Sequence, residues 1–208
     1  RYREFASAMN DAGIAVIGHD HPGHGLIAEP GKMGRFACRG GAECVLEDLR
    51  RISDYAECLY PDTFHVLLGH SMGSFFVRRF QAVYMGKGAD GIILLGTGSP
   101  PRFFLETACR LVRRDIRKWG PDADSARLHR LALRIFNGPF EKNLTMYQWL
   151  SRMTDENRKF EEDPLCRFYF SNSSLYEFLS VMLKLECREG FDAIPTGQPV
   201  LIMSGTED

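Results

Sequence analysis

The chain has 208 residues, of which 44% are hydrophobic and 25% are charged, and its formal net charge is −1. This composition is typical of a globular protein, and 26 basic against 27 acidic side chains predict no broad attraction to nucleic acid or to an anionic membrane. No apolar run is long enough for a membrane-spanning helix. Six scattered cysteines without a C-x-x-C pair predict buried, reduced thiols in a cytoplasmic protein rather than disulfides or a zinc site.

Helical and strand signals alternate from residue 1 to about residue 99, which predicts a parallel sheet with crossover helices. Tyr2, Phe5 and Met9 share one face of a first helix, and Gly13 is placed to end it. Apolar runs predict strands at 14–17, 64–68 and 92–95, with amphipathic helices between them.

The alternation stops at residue 100, and the next ninety or so residues contain helical signals only. Helices are predicted at 105–119, 125–136 and 175–189, and Ser174 with Glu177 fits a capping box. A helical block inserted into a series of strands and helices is typical of a lid over a sheet. We therefore expect a core at 1–99, a helical lid at 100–192, and a last strand (199–203) with an acidic loop in 193–208.

The segment Gly69-His70-Ser71-Met72-Gly73 matches the pattern G-x-S-x-G. It directly follows an apolar strand and directly precedes an amphipathic helix, which is the position of a nucleophile elbow. The pattern predicts that Ser71 is a catalytic nucleophile and that the N–H of Met72 stabilises an oxyanion, aided by the positive end of the helix. Because the turn is sharp, side chains at 69 and 73 would collide with it, so both positions are expected to require glycine.

A serine nucleophile needs a base, and the base needs an acid that orients it. In this kind of site the order along the chain is serine, acid, histidine. Asp208 follows the last predicted strand and is the expected acid, with Glu207 as the neighbour most easily confused with it. No histidine follows Asp208, and His70 is unsuited because adjacent residues of an elbow point apart. The base is therefore expected to lie outside residues 1–208.

A second candidate site is the run His19-Asp20-His21-Pro22-Gly23-His24-Gly25. Histidines at this spacing are similar to the H-x-H-x-D-H metal cluster of metallo-β-lactamase-like hydrolases, but Gly23 stands where that cluster needs aspartate. The alternative is a tight turn in which His and Asp side chains bind loop backbone. We expect the turn, and no bound metal or cofactor.

Taken together, these residues resemble the monoacylglycerol lipase, lysophospholipase and serine aminopeptidase-like branch of the α/β-hydrolases. The turn at 19–25 is similar to the family's H-D-x-x-G-H-G segment, and 204–208 resembles its acid-bearing S-G-x-x-D segment. W-L-S-R at 149–152 and D-P-L-C at 163–166 resemble a bacterial lysophospholipase-like subgroup. One departure is Pro22, which stands where family members usually have arginine, so an ion pair made there by that arginine is not expected.

The resemblance implies an α/β-hydrolase with a mostly parallel sheet and an inserted helical lid, truncated at both ends. A strand carrying a His-Gly oxyanion donor would precede residue 1, between the strands at 14–17 and 64–68, and the catalytic histidine would follow Asp208. The implied activity is hydrolysis of carboxylic esters of single-chain lipids, either monoacylglycerols or lysophospholipids, with transient contact with lipid surfaces and no nucleic-acid partner. Residues 1–208 alone are expected to be inactive.

Two other functions stay open. An aminopeptidase would need lid carboxylates for a substrate ammonium group, and the candidates are Glu156, Glu161, Glu162 and Asp163. A non-catalytic binding protein could keep the same fold. Aromatic lid residues could line an acyl groove or could be ordinary lid core; they are Phe140, Tyr147, Trp149, Phe168 and Phe170.

Overall fold

The computed structural model describes residues 2–37, 40–140, 145–187 and 196–205. These contain three strands, β1 (Val66–His70), β2 (Gly91–Leu95) and β3 (Val200–Met203). Seven α-helices accompany them: α1 (Arg3–Asp11), α2 (Gly41–Leu59), α3 (Met72–Tyr84), α4 (Arg102–Trp119), α5 (Ala126–Asn137), α6 (Thr154–Glu162) and α7 (Asn172–Leu185). Within the same ranges, no helix combines the length and the apolar character that crossing a bilayer requires.

The three strands form one parallel sheet in the order β1-β2-β3. His70 pairs with Leu95, and Leu95 pairs with Met203, so the carboxyl ends of all three strands lie in register at one edge. The predicted parallel arrangement is confirmed. Because chain segments that leave aligned strands start close together, this edge is where side chains from distant parts of the sequence can meet.

The prediction of a strand at 14–17 is wrong for this structure. Those residues have no regular secondary structure, and Ile14 is 54% exposed. A strand exists only where another strand accepts and donates its backbone hydrogen bonds, and none of the described strands lies beside this segment. The predicted strand at 64–68 is displaced to Val66–His70, because its ladder begins at the pair Val66–Gly91 and continues to His70–Leu95.

The main core lies between helices rather than within the sheet. Val45 and Leu49 of α2 meet Phe76 and Phe80 of α3, as the helical spacing predicts, and all four are nearly inaccessible to solvent. Helix α7 completes this core through Val181, Met182 and Leu185. Helix α3, which directly follows Ser71, is therefore packed on several sides, and this packing fixes the position of its N-terminal end.

Helix α7 begins earlier than predicted. Its N-cap is Ser171, whose Oγ accepts a hydrogen bond from the N–H of Ser174 at 3.2 Å, so the expected capping box at Ser174 is wrong. The Ser174 hydroxyl instead accepts from the N–H of Phe36 at 2.9 Å. Ser174 is buried and tied to a segment far away in sequence, which a local pattern cannot reveal. The division into core and lid stays a prediction.

The cysteines differ in exposure. Cys109 is buried, whereas Cys44 and Cys58 are exposed, so the expectation of buried thiols is wrong for these two. Burial raises the pKa of the Cys109 thiol. Cys38 lies outside the described residues.

Candidate active site

Ser71 occupies a strained turn between β1 and α3. Its φ of 52° and ψ of −119° lie outside the regions that residues with a side chain normally adopt, and its side chain is exposed. The turn is held from both directions: the N–H of Ser71 donates to the Leu95 carbonyl at 2.9 Å, and Ser74 donates its N–H and its hydroxyl to the Ser71 carbonyl. A strained, exposed serine held by its surroundings is the geometry of a nucleophile elbow.

The two glycines of the motif have different roles. A Cβ atom at Gly69 would lie 2.6 Å from the Gly73 carbonyl oxygen and 2.7 Å from the Ser74 Cα, so no side chain fits there. A Cβ atom at Gly73 would meet no heavy atom of the described chain within 4 Å. The expectation that both positions need glycine because of collision is therefore correct for Gly69 and wrong for Gly73.

The N–H of Met72 is the first backbone donor of α3. Within the described ranges no group accepts a hydrogen bond from it, as is usual for the first residues of a helix. The positive end of the helix dipole lies beside Ser71 and would favour negative charge placed there. The first turn of α3 contains no acidic side chain that would compete for this position.

His70 makes a contact of its own beside the elbow. Its Nδ1 lies 2.6 Å from the Tyr2 hydroxyl, and its ring meets the Tyr2 ring edge-on. The Tyr2 hydroxyl thus lies within hydrogen-bond distance of one ring nitrogen of His70. The expectation that His70 is not the base stays a prediction. The contact between Tyr2 and His70 also places the start of the described chain next to the elbow.

Asp208 lies outside the described residues. The strand before it, β3, ends at Met203, whose carbonyl accepts from the N–H of Gly96. Since neighbouring strands are about 5 Å apart, the chain leaves β3 roughly 10 Å from the start of the elbow. The role of Asp208 stays a prediction.

The loop that follows β2 is fastened near the elbow by a part-buried ion pair. Arg78 of α3 donates to the Gly98 carbonyl at 2.9 Å, and its guanidinium lies 3.8 Å from the Glu186 carboxylate at the end of α7. Ser99 donates its hydroxyl to the same carboxylate at 2.7 Å. Burial lowers the pKa of Arg78, and Glu186 opposes this shift. The pair joins α3, the loop and α7 at the carboxyl edge of the sheet.

Residues 1–208, the whole sequence, match the Hydrolase_4 family, described as serine aminopeptidase, S33. The chain belongs to the serine aminopeptidase S33 family. No curated protein matches it significantly in sequence.

Solved structures show the fold of this S33-family chain. It superimposes on a highly thermostable carboxyl esterase from Bacillus coagulans, in complex with glycerol, with a TM-score of 0.85 and 23% identity, covering 98% of this chain and 76% of that one. A lipase in its open form superimposes with a TM-score of 0.87 and 24% identity, and the match covers 100% of this chain and 67% of the lipase. A monoacylglycerol lipase from Paleococcus ferrophilus superimposes with a TM-score of 0.59 and 19% identity, and the match covers 99% of this chain and 79% of that lipase. The predicted α/β-hydrolase fold is confirmed, and the chain is partial relative to these proteins.

In this S33-family chain the histidine-rich segment forms a tight turn. Gly25 has a φ of 56°, and a Cβ there would overlap the Asp20 carboxylate, which accepts the N–H of Leu26 at 3.0 Å. Gly23 packs against the backbone of Arg35 in the same way. The Nδ1 of His24 lies 3.0 Å from the Pro22 carbonyl oxygen. These contacts support the structural interpretation, and the described residues contain no cluster of three or more side chains placed to hold a metal ion.

We expect this turn to make the stability of the protein sensitive to acid. Burial, together with neighbouring His19 and His24, lowers the pKa of His21 to about 4. An unfolded histidine titrates near 6.5, so protons bind the unfolded chain more strongly, and the free energy of unfolding falls as the pH drops from about 6.5 to about 4. We expect a loss approaching about 3 kcal/mol, measured by urea unfolding across this range. The variant His21→Asn should flatten the dependence; an unchanged slope would contradict this assignment.

The lid aromatics of the S33-family chain take part in local packing. Tyr147 is buried against Phe160, and Trp149 packs on Phe136. Phe168 and Phe170 surround His24 of the histidine turn. The sequence left two roles open for these aromatic residues, the lining of an acyl groove or the core of the lid. Tyr147 is buried as a core residue would be, whereas Trp149 packs on Phe136, which is 49% exposed, and the choice between groove and core stays open for the others.

Proposed function

We propose that the protein is a serine hydrolase that cleaves carboxylic esters through an acyl-enzyme on Ser71. The observation that carries the proposal is the elbow itself, an exposed Ser71 with φ 52° at the N-terminal end of α3. The Ser71 oxygen attacks the ester carbonyl carbon and its proton passes to a base, while the N–H of Met72 stabilises the oxyanion. The alcohol leaves with that proton, and water then releases the acid and regenerates the serine.

The proposal assigns Asp208 as the residue that orients the base. The base is proposed to be a histidine of the full-length protein outside residues 1–208. The order serine, acid, histidine supports a position after Asp208. A second oxyanion donor is proposed from the segment that leads into Tyr2, because Tyr2 lies against His70 beside the elbow. Residues 1–208 alone are inactive on this view.

Single-chain lipid esters, monoacylglycerols or lysophospholipids, are the proposed substrates. The family membership and the fold shared with a carboxyl esterase, a lipase and a monoacylglycerol lipase support this choice. The exposed position of Ser71 leaves room for a long acyl ester to approach. Transient contact with lipid surfaces is part of the same proposal.

The family description favours one competing function, an aminopeptidase. It would need free carboxylates for a substrate ammonium group, but Glu156 is paired with Lys159 at 2.6 Å. Asp163 accepts the N–H of Leu165 and so closes a turn. A non-catalytic binding protein is disfavoured because the strain at Ser71 has no use without chemistry.

A substrate comparison separates these functions. We expect the full-length protein to hydrolyse p-nitrophenyl esters and monoacylglycerols far faster than aminoacyl p-nitroanilides, because two of the four candidate lid carboxylates are engaged in local contacts. The measurement is kcat/KM for each class under one set of conditions. A preference for the anilides would establish the aminopeptidase, and no turnover of either class by a folded protein would favour the binding protein.

A further inference from the structure

The loop that follows β2, residues 96–99, touches both neighbours of that strand at the carboxyl edge of the sheet. Its first residue, Gly96, donates its N–H to the Met203 carbonyl at 2.9 Å. Directly before the loop, the Leu95 carbonyl accepts the N–H of Ser71 at 2.9 Å. We call residues 96–99 the β2 loop. Because it starts between the strained turn at Ser71 and the end of β3, a shift of its backbone reaches both.

The outer half of the β2 loop is held by side chains from two helices. Arg78 of α3 donates to the Gly98 carbonyl at 2.9 Å. The Ser99 hydroxyl donates to the Glu186 carboxylate at 2.7 Å. In the described part of the chain, the buried hydroxyl of Thr97 has no hydrogen-bond partner, so this side chain does not fasten the loop. Among these contacts, Arg78 and Glu186 are thus the groups that hold the outer half.

Arg78 is itself held in a defined orientation. Its guanidinium lies 3.8 Å from the Glu186 carboxylate, and the two side chains are only 12% and 13% exposed, so water screens the pair less than a surface ion pair. The guanidinium carbon lies 5.6 Å from the centre of the Phe75 ring. Phe75 is buried and packs on Phe178 of α7. Arg78 therefore ties the β2 loop to α3 and α7, two helices of the main core.

We propose that Arg78 is a positioning residue for the nucleophile. Through the β2 loop it holds the Leu95 carbonyl where that carbonyl binds the N–H of Ser71, and so it keeps Ser71 in its strained conformation. An arginine suits this task, because its planar guanidinium can bond a carbonyl and face a carboxylate at the same time. The inference deepens the acyl-enzyme mechanism proposed above and rests on it for the effect on catalysis only.

Amide hydrogen exchange, read by NMR on the full-length protein, tests the holding of the turn without any assay of activity. In Arg78→Met we expect the Ser71 N–H to exchange roughly ten-fold faster, because its acceptor is held less firmly. The Tyr60 N–H, which bonds the Ala56 carbonyl at the end of α2, should exchange at an unchanged rate. A general loss of stability would instead accelerate both amides.

Steady-state kinetics with a p-nitrophenyl ester test the consequence for catalysis. Arg78→Met should lower kcat by roughly ten- to hundred-fold and leave KM within about two-fold, because a misplaced nucleophile slows the chemical step more than it weakens binding. Arg78→Lys keeps the charge that faces Glu186 and should lose clearly less. If Arg78→Met does not accumulate as folded protein, Ser99→Ala removes a single hydrogen bond and should still lower kcat about two- to three-fold.

The matched control is Arg113→Met, at an exposed arginine of α4 whose Nε lies 3.0 Å from the Tyr176 hydroxyl of α7. Arg113 also joins two helices, but through a side chain outside the β2 loop, so kcat and the exchange of Ser71 should stay within about two-fold.

Several results would overturn the inference. They are unchanged exchange of Ser71 in Arg78→Met, equal acceleration at Tyr60, unchanged kcat, or a loss of kcat as large in Arg113→Met or Arg78→Lys. If the unaltered protein hydrolysed no ester, the proposed function would fail, while the exchange of Ser71 would still decide whether Arg78 holds the turn.

Discussion

The variant Ser71→Ala is expected to lose esterase activity by a factor on the order of 10⁴ to 10⁶ while remaining folded. Without the hydroxyl no acyl-enzyme forms, and the remaining oxyanion donors account for only a small part of the rate. A fluorophosphonate probe should label the unaltered full-length protein and leave the variant unlabelled. The melting temperature should change little, because the Ser71 side chain is exposed and accepts no hydrogen bond from the described core.

Three comparisons make this test decisive. Ser7→Ala, at an exposed serine of α1, should label and turn over as the unaltered protein does. Residues 1–208 expressed alone should show neither activity nor labelling at a comparable rate. Labelling that survives Ser71→Ala would refute the serine mechanism, and activity lost on adding a chelator would favour the metal alternative at the histidine turn.

A large loss of folding stability is expected when Gly69 is replaced by alanine. The methyl group of Gly69→Ala would lie 2.6 to 2.8 Å from backbone atoms of Gly73 and Ser74, which cannot move without opening the elbow. We expect a loss of about 3 kcal/mol or more in the free energy of unfolding, or failure to accumulate as folded protein. Urea unfolding followed by circular dichroism measures the loss.

Gly73→Ala is the matched control, four residues along the same motif. Apart from the backbone of its own helix, its methyl group would meet no atom of the described residues within 4 Å, and alanine favours helix over glycine by up to about 1 kcal/mol. We expect unchanged or slightly increased stability. If the two variants were equally destabilised, the close approach at Gly69 would not be the cause.

The elbow could be predicted from sequence because its determinants are local. An apolar strand, a sharp turn with small residues and an amphipathic helix follow one another within about twenty residues, and each leaves its own pattern. The role of Gly73 was nevertheless misjudged, since the motif alone does not show which of its glycines touches backbone. That distinction depends on the direction of each Cα–Hα bond in the folded turn.

Other features depend on residues far apart in sequence. The segment 14–17 has the composition of a buried strand, but a strand needs a neighbour, and composition does not supply one. Ser174 fits a capping box by spacing, yet it is buried against Phe36, and Ser171 caps the helix instead.

The pairing of β3 with β2 also determines the order in which the protein can fold during synthesis. Ile92 of β2 pairs with Val200 of β3, so these two strands cannot pair until the helices between them have been synthesised. That synthesis takes roughly 5–20 s at ordinary elongation rates. The elbow itself needs only β1, β2 and α3, because Leu95 already holds the N–H of Ser71. We therefore expect the turn at Ser71 to form early on the ribosome, while the edge of β2 stays unpaired until β3 emerges.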